Sequence, residues 1–237
     1  MNDTAKLGLP LLAAAQAQKH VTVNAALTRL DALTAPAALT RGLTAPPSDA
    51  ADGDLHLVGA GATGGWAGRD GDLAFCDAGV WRFGRARAGR RLWIVEEGVE
   101  VVHDGAGWVE ASGHAVDGAG TALRTITLDH AIAPGAENVT APVIPDKAIV
   151  LGVTARVTAP LTGAGLTGWR LGVPGAPDRY GTGYGAEQNA WAQGVTGQPV
   201  AYYGATPLLL TAEDGLFEAG AVRLAVHLFA LTPPRAV

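Results

Sequence analysis

One cysteine, Cys76, stands in 237 residues, so no internal disulfide can staple the chain. Charge is also scarce: 16% of residues are charged, with 17 basic against 22 acidic and a net charge of -5. The basic residues are scattered except in RFGRARAGRR, from Arg82 to Arg91. That cluster reads as a solvated loop between hairpins, whereas a nucleic-acid partner would favour a basic stripe with interleaved aromatics. No run approaches the ~20 apolar residues that cross a bilayer. The opening has Asp3 and Lys6 before Pro10, then Gln16, Gln18, Lys19 and His20, which is too polar for a cleaved secretory signal. No nucleic acid and no membrane insertion are therefore expected.

Paired metal ligands are missing too. His20, His56, His103, His114, His130 and His227 are dispersed, and none has a His or Cys partner at zinc-site spacing. The glycine strings Gly59 to Gly65 and Tyr180 to Gly185 lack both the strand-to-helix setting and the Gly-Lys-Ser/Thr ending of a phosphate loop. Acids crowd EEGVEVVHDG at Glu96, Glu97, Glu100 and Asp104, but acids in an alternating hairpin point to water. No metal, cofactor or catalytic residue is assigned, and the chain is read as no enzyme.

What the chain has in excess is glycine, 33 residues, with 14 prolines, which marks a turn-rich, mostly β protein. Val23, Leu27, Leu30 and Leu33 follow helical spacing with Thr28, Arg29 and Asp31 on the other face. Thr22 or Asn24 would cap this short helix and Pro36 would stop it. Residues 1–35 thus read as an N-terminal attachment segment with a helix, and 36–52 as a linker. Three phrases follow, GDLHLVGAGATGGW, GDLAFCDAGVW and VEVVHDGAGW. Each is an alternating run, a glycine turn and a tryptophan, so 53–112 reads as a small hairpin domain whose tryptophans cover its sheet.

HAVDGAG, within 113–120, reads as a second linker, and 121–237 as an antiparallel β-sandwich of jelly-roll type. KAIVLGVTARVT places Ile149, Leu151, Val153, Ala155 and Val157 on one face. AVRLAVHLFAL places Val222, Leu224, Val226 and Leu228 inward and Arg223 and His227 outward. Between them, Asp178 to Gly204 is a Gly- and Gln-rich loop region holding Tyr180, Tyr184, Trp191, Tyr202 and Tyr203. Aromatic faces beside amides suit a sugar ring or a protein partner; the other reading is an aromatic plug over the open end of the sandwich.

LGLPLLAAAQAQKHVTVNAALTRLDAL, and then GDLHLVGAGATGGWAGRDGDLAF and GVW, resemble a phage-associated family found in prophages and in gene transfer agents of alphaproteobacterial type. The resemblance covers Leu7 to Trp108 and is most specific at Gln16 to His20, Asn24 and Leu27 to Leu33. The second half, with DRYGTGYG and GQPVAYYG, is similar to head-spike proteins of gene transfer agents. This implies a virion structural component, a head-spike base or fibre protein that docks on the capsid vertex beside other spike or fibre proteins of its particle. It implies assembly in the bacterial cytoplasm and a homo-oligomer, with a ring of five suggested by fivefold capsid vertices. It carries over no catalytic residue. Ala25 departs from relatives that have an acid after the Asn.

The attachment residues expected from these readings are Gln16, Gln18, Lys19, His20, Asn24, Leu27 and Leu30, with small side chains and amides suited to a partner's groove. The alternative for the opening stretch is a strap over the chain's own hairpin domain. Rivals for the whole chain are a carbohydrate-binding fibre-tip module recognising capsular polysaccharide through the Asp178 to Gly204 aromatics, and a glycan hydrolase. The hydrolase would need two carboxyl groups roughly 5 to 10 Å apart in a cleft.

Overall fold

The computed structural model describes residues 3–13, 19–34, 36–110, 113–115 and 117–236. The chain divides into two compact units, Met1–Gly120 with Pro234–Val237, and Thr121–Pro233. It is mostly β, with several antiparallel sheets and one short helix.

In the first unit the helix α1 spans Lys19–Thr34. It starts earlier than the expected caps: Thr22 and Asn24 lie inside it, because nothing from Lys19 to Thr22 breaks a helix. Its inward residues are Asp31 and Ala32, while Val23 is 39% and Leu30 54% exposed. The apolar stripe, expected to pack on a neighbouring surface, therefore faces partly to solvent, and Asp31, read on the opposite face, is buried.

The strands here are β1 (Ala37–Ala38), β2 (Leu55–Leu57), β3 (Leu73–Asp77), β4 (Val80–Gly84), β5 (Arg91–Ile94), β6 (Val99–His103), β7 (Trp108–Val109) and β8 (Gly113–His114). The first seven of them form one sheet ordered β2-β3-β4 and another ordered β1-β5-β6-β7. Leu55, Leu73, Leu92, Ile94 and Val101 are almost wholly buried between them with Ala32 and Ala38. The β3–β4 turn places Ala78 and Gly79 at φ of 50° and 73°, the two positive angles that a two-residue hairpin turn requires.

Residues 36–52, read as a linker, are part of this unit. Ala37 and Ala38 pair in parallel with Trp93 and Ile94. Beyond them the Leu39 N–H donates to the Leu55 carbonyl at 2.8 Å and the Thr63 N–H to the Thr44 carbonyl at 2.7 Å. The alanines and threonines lack a visible period because each lies against a different neighbour. Two tryptophans behave as expected: Trp66 is fully buried and meets Trp81 edge-on with ring centroids 5.0 Å apart.

The second unit is a jelly roll. Its strands are β9 (Gly120–Ala131), β10 (Glu137–Ile144), β11 (Ile149–Thr162), β12 (Gly168–Gly172), β13 (Trp191–Ala201), β14 (Thr206–Glu213) and β15 (Ala219–Thr232). One sheet runs β9-β15-β11-β13 and the facing one β10-β14-β12. The segment from Tyr180 to Tyr184 occupies the position beside β12, exchanging backbone bonds with Leu171 and Trp169 at 2.8 to 3.1 Å. Eight strand positions in two facing sheets is the jelly-roll arrangement.

Val222, Leu224, Val226 and Leu228 of β15 are fully buried, as their alternation predicts. In β11 the expected face changes part-way. Val150 is inward and Ile149 and Leu151 are not, because the register slips between Val150 and Gly152 against both neighbouring strands. A bulge of one residue reverses the facing of everything before it. The region Asp178 to Gly204, expected to be loop, contains the eleven-residue strand β13.

Three of its aromatics close the end of the core. Tyr180 and Tyr202 are 1% and 9% exposed and share a hydroxyl-to-hydroxyl hydrogen bond of 2.7 Å. Burial first, and then the Tyr202 hydroxyl, raises the Tyr180 pKa far above that of a free phenol. The Tyr184 hydroxyl donates to the Tyr180 carbonyl. Gly194 admits this backbone: a Cβ there would overlap the Tyr180 carbonyl and main chain.

Two predictions follow from these buried polar contacts. Tyr180→Phe or Tyr202→Phe alone leaves the other hydroxyl buried without its partner and should cost about 1–3 kcal/mol. The double Phe variant should recover most of that in urea unfolding, and additive losses would show that the pair is not a closed unit. In the first unit, Asp31→Ala should cost about 3 kcal/mol and release the Lys6 and Leu7 amides to rapid hydrogen exchange. Unchanged exchange at both amides would show that the Asp31 carboxylate does not hold them.

Candidate functional site

The region with the most specific sequence signal is the N-terminal segment with α1. Asn24 and Asp31 are seven residues apart and so stand on one face of the helix, two turns from each other. Each grips the chain that precedes the helix. The Asn24 amide donates to the Leu12 carbonyl at 3.0 Å and its oxygen accepts the Leu12 N–H at 2.9 Å. The buried Asp31 carboxylate accepts from the Thr4 hydroxyl at 2.8 Å, the Lys6 N–H at 3.0 Å and the Leu7 N–H at 2.6 Å.

The local sequence makes that convergence possible. Residues Thr4 to Gly8 form a turn closed by the Gly8 N–H on the Thr4 carbonyl at 3.2 Å, with Gly8 at a φ of 63°. Consecutive N–H groups of such a turn point to one side and make a concave anion seat. Here the anion is the chain's own Asp31. The Thr4 hydroxyl also accepts the Leu9 N–H at 2.9 Å, and the Lys6 ammonium donates to the Ala37 carbonyl at 3.3 Å. Burial lowers the Lys6 pKa, partly offset by Asp31 and then Asp54.

Residues 3–13 are thus a strap on the first unit, the alternative reading of the opening stretch. Beneath it lies a cavity of about 270 Å³ lined by Thr4, Lys6, Asp31, Asp52, Phe75 and Cys76 among others. Burial raises the Cys76 thiol pKa, so it is a poor nucleophile at neutral pH.

Of the predicted attachment residues, Gln16 and Gln18 lie outside the described residues. Asn24 is committed to Leu12 and is not free to bind a partner in this arrangement. Leu27 and His20 are half-buried, and Lys19 and Leu30 are exposed. One position before the gripping pair, Val23 and Leu30 repeat the same seven-residue spacing and form an outward apolar stripe. Leu7 and Leu12, held to the helix by their backbones, are 44% and 51% exposed. The seam between strap and helix is therefore flanked by four exposed aliphatic side chains, of which only Leu30 is among the expected attachment residues.

The acids do not converge on a cleft. Arg41 takes both Glu97, at 2.6 Å, and Glu110, while Arg91 takes Glu100 at 2.6 Å. Asp104 is engaged by Arg235. Burial would raise the Asp104 carboxyl, but the Ala106 and Gly107 N–H groups together with Arg235 hold it down at about 2. Arg82 pairs with Asp77 at 2.9 Å, which ties one member of the basic cluster to the hairpin surface.

The predicted aromatic contact set is not brought together either. Tyr180, Tyr184 and Tyr202 belong to the core plug described above. Trp191 and Tyr203 are 60% and 89% exposed, but Trp191 opens β13 and Tyr203 lies two residues past its end, so the strand between them alone spans ~33 Å at ~3.3 Å per residue.

A family model described as "Protein of unknown function (DUF2793)" matches residues 23–109, a stretch that runs from α1 through β7. No curated protein matches. Among solved structures, a chain of the "Cyanophage Pam1 capsid asymmetric unit" is similar with a TM-score of 0.35 and 23% identity, over 51% of this chain and 91% of that one.

Proposed function

We propose that this protein is a structural virion component of a phage-like particle, a head-spike base or fibre protein of gene-transfer-agent type. It docks on the capsid vertex through its N-terminal unit, and its jelly roll supports attachment to the host surface. The observation that carries this reading is the seam of strap and α1. A chain that only needed to close its first unit would turn Val23 and Leu30 inward. Instead Asn24 and Asp31 hold the strap while Leu7, Leu12, Val23 and Leu30 stay exposed.

Scattered single apolar side chains need no explanation, but four along one seam form the apolar centre of a contact with a partner. The seam also lies in the stretch that resembles phage and gene-transfer-agent proteins, and the family match begins at Val23. Its role is mechanical, without bond-making chemistry, and its assembly is a homo-oligomer in register with the fivefold vertex.

The test is to purify particles from a producing strain on a density gradient and quantify this protein against the major capsid protein. The expected result is co-sedimentation at a fixed copy number per particle that is a whole multiple of the number of vertices, with deletion strains yielding particles that package DNA but adsorb poorly to hosts. Recovery of the protein only in the particle-free fraction would overturn the assignment.

A further inference from the structure

The outward face of the jelly-roll sheet β9-β15-β11-β13 carries a row of side chains that local pairing rules disfavour. Arg156 stands directly opposite Arg223 on one side and directly opposite Trp191 on the other. Like charges in directly opposed positions repel and destabilise a sheet. Arg223 is neutralised by a two-point contact with Asp129 at 2.7 and 2.8 Å. Arg156 is not: its guanidinium donates to the Asn189 carbonyl at 2.7 Å, and among the described residues no carboxylate pairs with it. Four of its five donors remain for something else.

The next row across the same face is low. Ala225 stands opposite Thr154, and Thr154 opposite Gln193. Beyond it His227 is braced by the hydroxyls of Thr125 at 3.3 Å and Thr154 at 3.0 Å. Small residues between taller ones leave a depression of about 290 Å³, walled by Trp191, Arg156 and Arg223 and floored by Thr154, Ala225 and Thr127. A second hollow continues from it over Gly152, Gln193, Val195 and His227.

We propose that this face binds an acidic sugar unit of a polysaccharide, with the ring stacked on the exposed Trp191 indole and its carboxylate held by Arg156. A guanidinium matches a carboxylate in two points, an indole accepts the apolar face of a ring, and Gln193 and Thr154 supply both donors and acceptors for hydroxyls. The size suits one ring, at the lower end of ligand sites, ~300 Å³. Asp129 lies two strands from Arg156 and is occupied by Arg223, so the free charge of the depression is positive although the whole chain carries -5. A neutral glycan would leave that charge unanswered. This site is distinct from the strap and helix seam, and it stands or falls without the particle assignment.

The test is to titrate the full-length protein with a tetrasaccharide of glucuronic acid and with the matching glucose tetrasaccharide, following tryptophan fluorescence and the indole resonances. The expected result is saturable binding of the acidic probe with a Kd of ~1 mM or tighter, about tenfold weaker binding of the neutral one, and loss of affinity with added salt. Trp191→Ala and Arg156→Gln should each reduce affinity about tenfold or more while leaving the melting curve unchanged, since both side chains are exposed. Equal affinity for the two probes, no saturation, or full affinity in Trp191→Ala would overturn the proposal. So would sedimentation showing that Trp191→Ala turns an oligomer into monomers, because the face would then be a contact between copies of this chain.

Discussion

A buried carboxylate has to be matched by donors or it costs more than a small domain can spare, and Asp31 is such a group. Its three donors come from Thr4, Lys6 and Leu7, all far from it in sequence. This contact decides the conformation of the opening segment, and through it the orientation of α1. Once Asp31 and Ala32 point inward, the helix geometry fixes the outward placement of Val23 and Leu30. The apolar seam is therefore a consequence of where one acid is satisfied, and not of the apolar residues' own preference.

The jelly roll is held by a different principle. Alternating aliphatic residues from β11, β15 and β14 meet Trp169 and Leu171 in one core, and the Tyr180–Tyr202 hydroxyl pair closes one end of it. Because the inward face is so fully used, the outward face of the same strands is free to vary. There the repulsive Arg156 and Arg223 pairing is tolerated. A local conflict on a sheet whose core is otherwise consistent marks a place where stability yields to another demand.

Much of this was legible in the residues. Val222 to Leu228 show the period of a half-buried strand and have that role, the second and third glycine-tryptophan phrases are hairpins while the first carries one strand and a turn that holds Trp66, and the mostly β class follows from glycine and proline content. What was not legible has physical causes. Helical spacing identifies the apolar positions but not that a polar side chain, Asp31, is the buried one. The bulge at Leu151 shifts facing without any change in composition, so strict alternation from the sequence puts Ile149 and Leu151 inward where the structure does not. Strand β13 was hidden by Gly194, Gly197 and Pro199, and Gly194 is there for the Tyr180 backbone. The period-2 contrast of Trp191, Gln193 and Val195 with Ala192 and Gly194 was the available signal. Residues 36–52 read as a linker because the segment joins its unit mainly through backbone pairing, at Ala37, Ala38, Leu39 and Thr44 among others, which leaves little trace in side-chain pattern.

The central claim is that the strap is fixed by the chain itself so that the flanking aliphatic residues can meet the particle. The most direct measurement is the copy number, on purified particles, of a Val23→Ser/Leu30→Ser double variant whose melting curve is first compared with the parent chain. The account predicts a protein that folds and melts like the parent but is depleted from particles. A variant that folds normally and occupies particles at the parental copy number would contradict it.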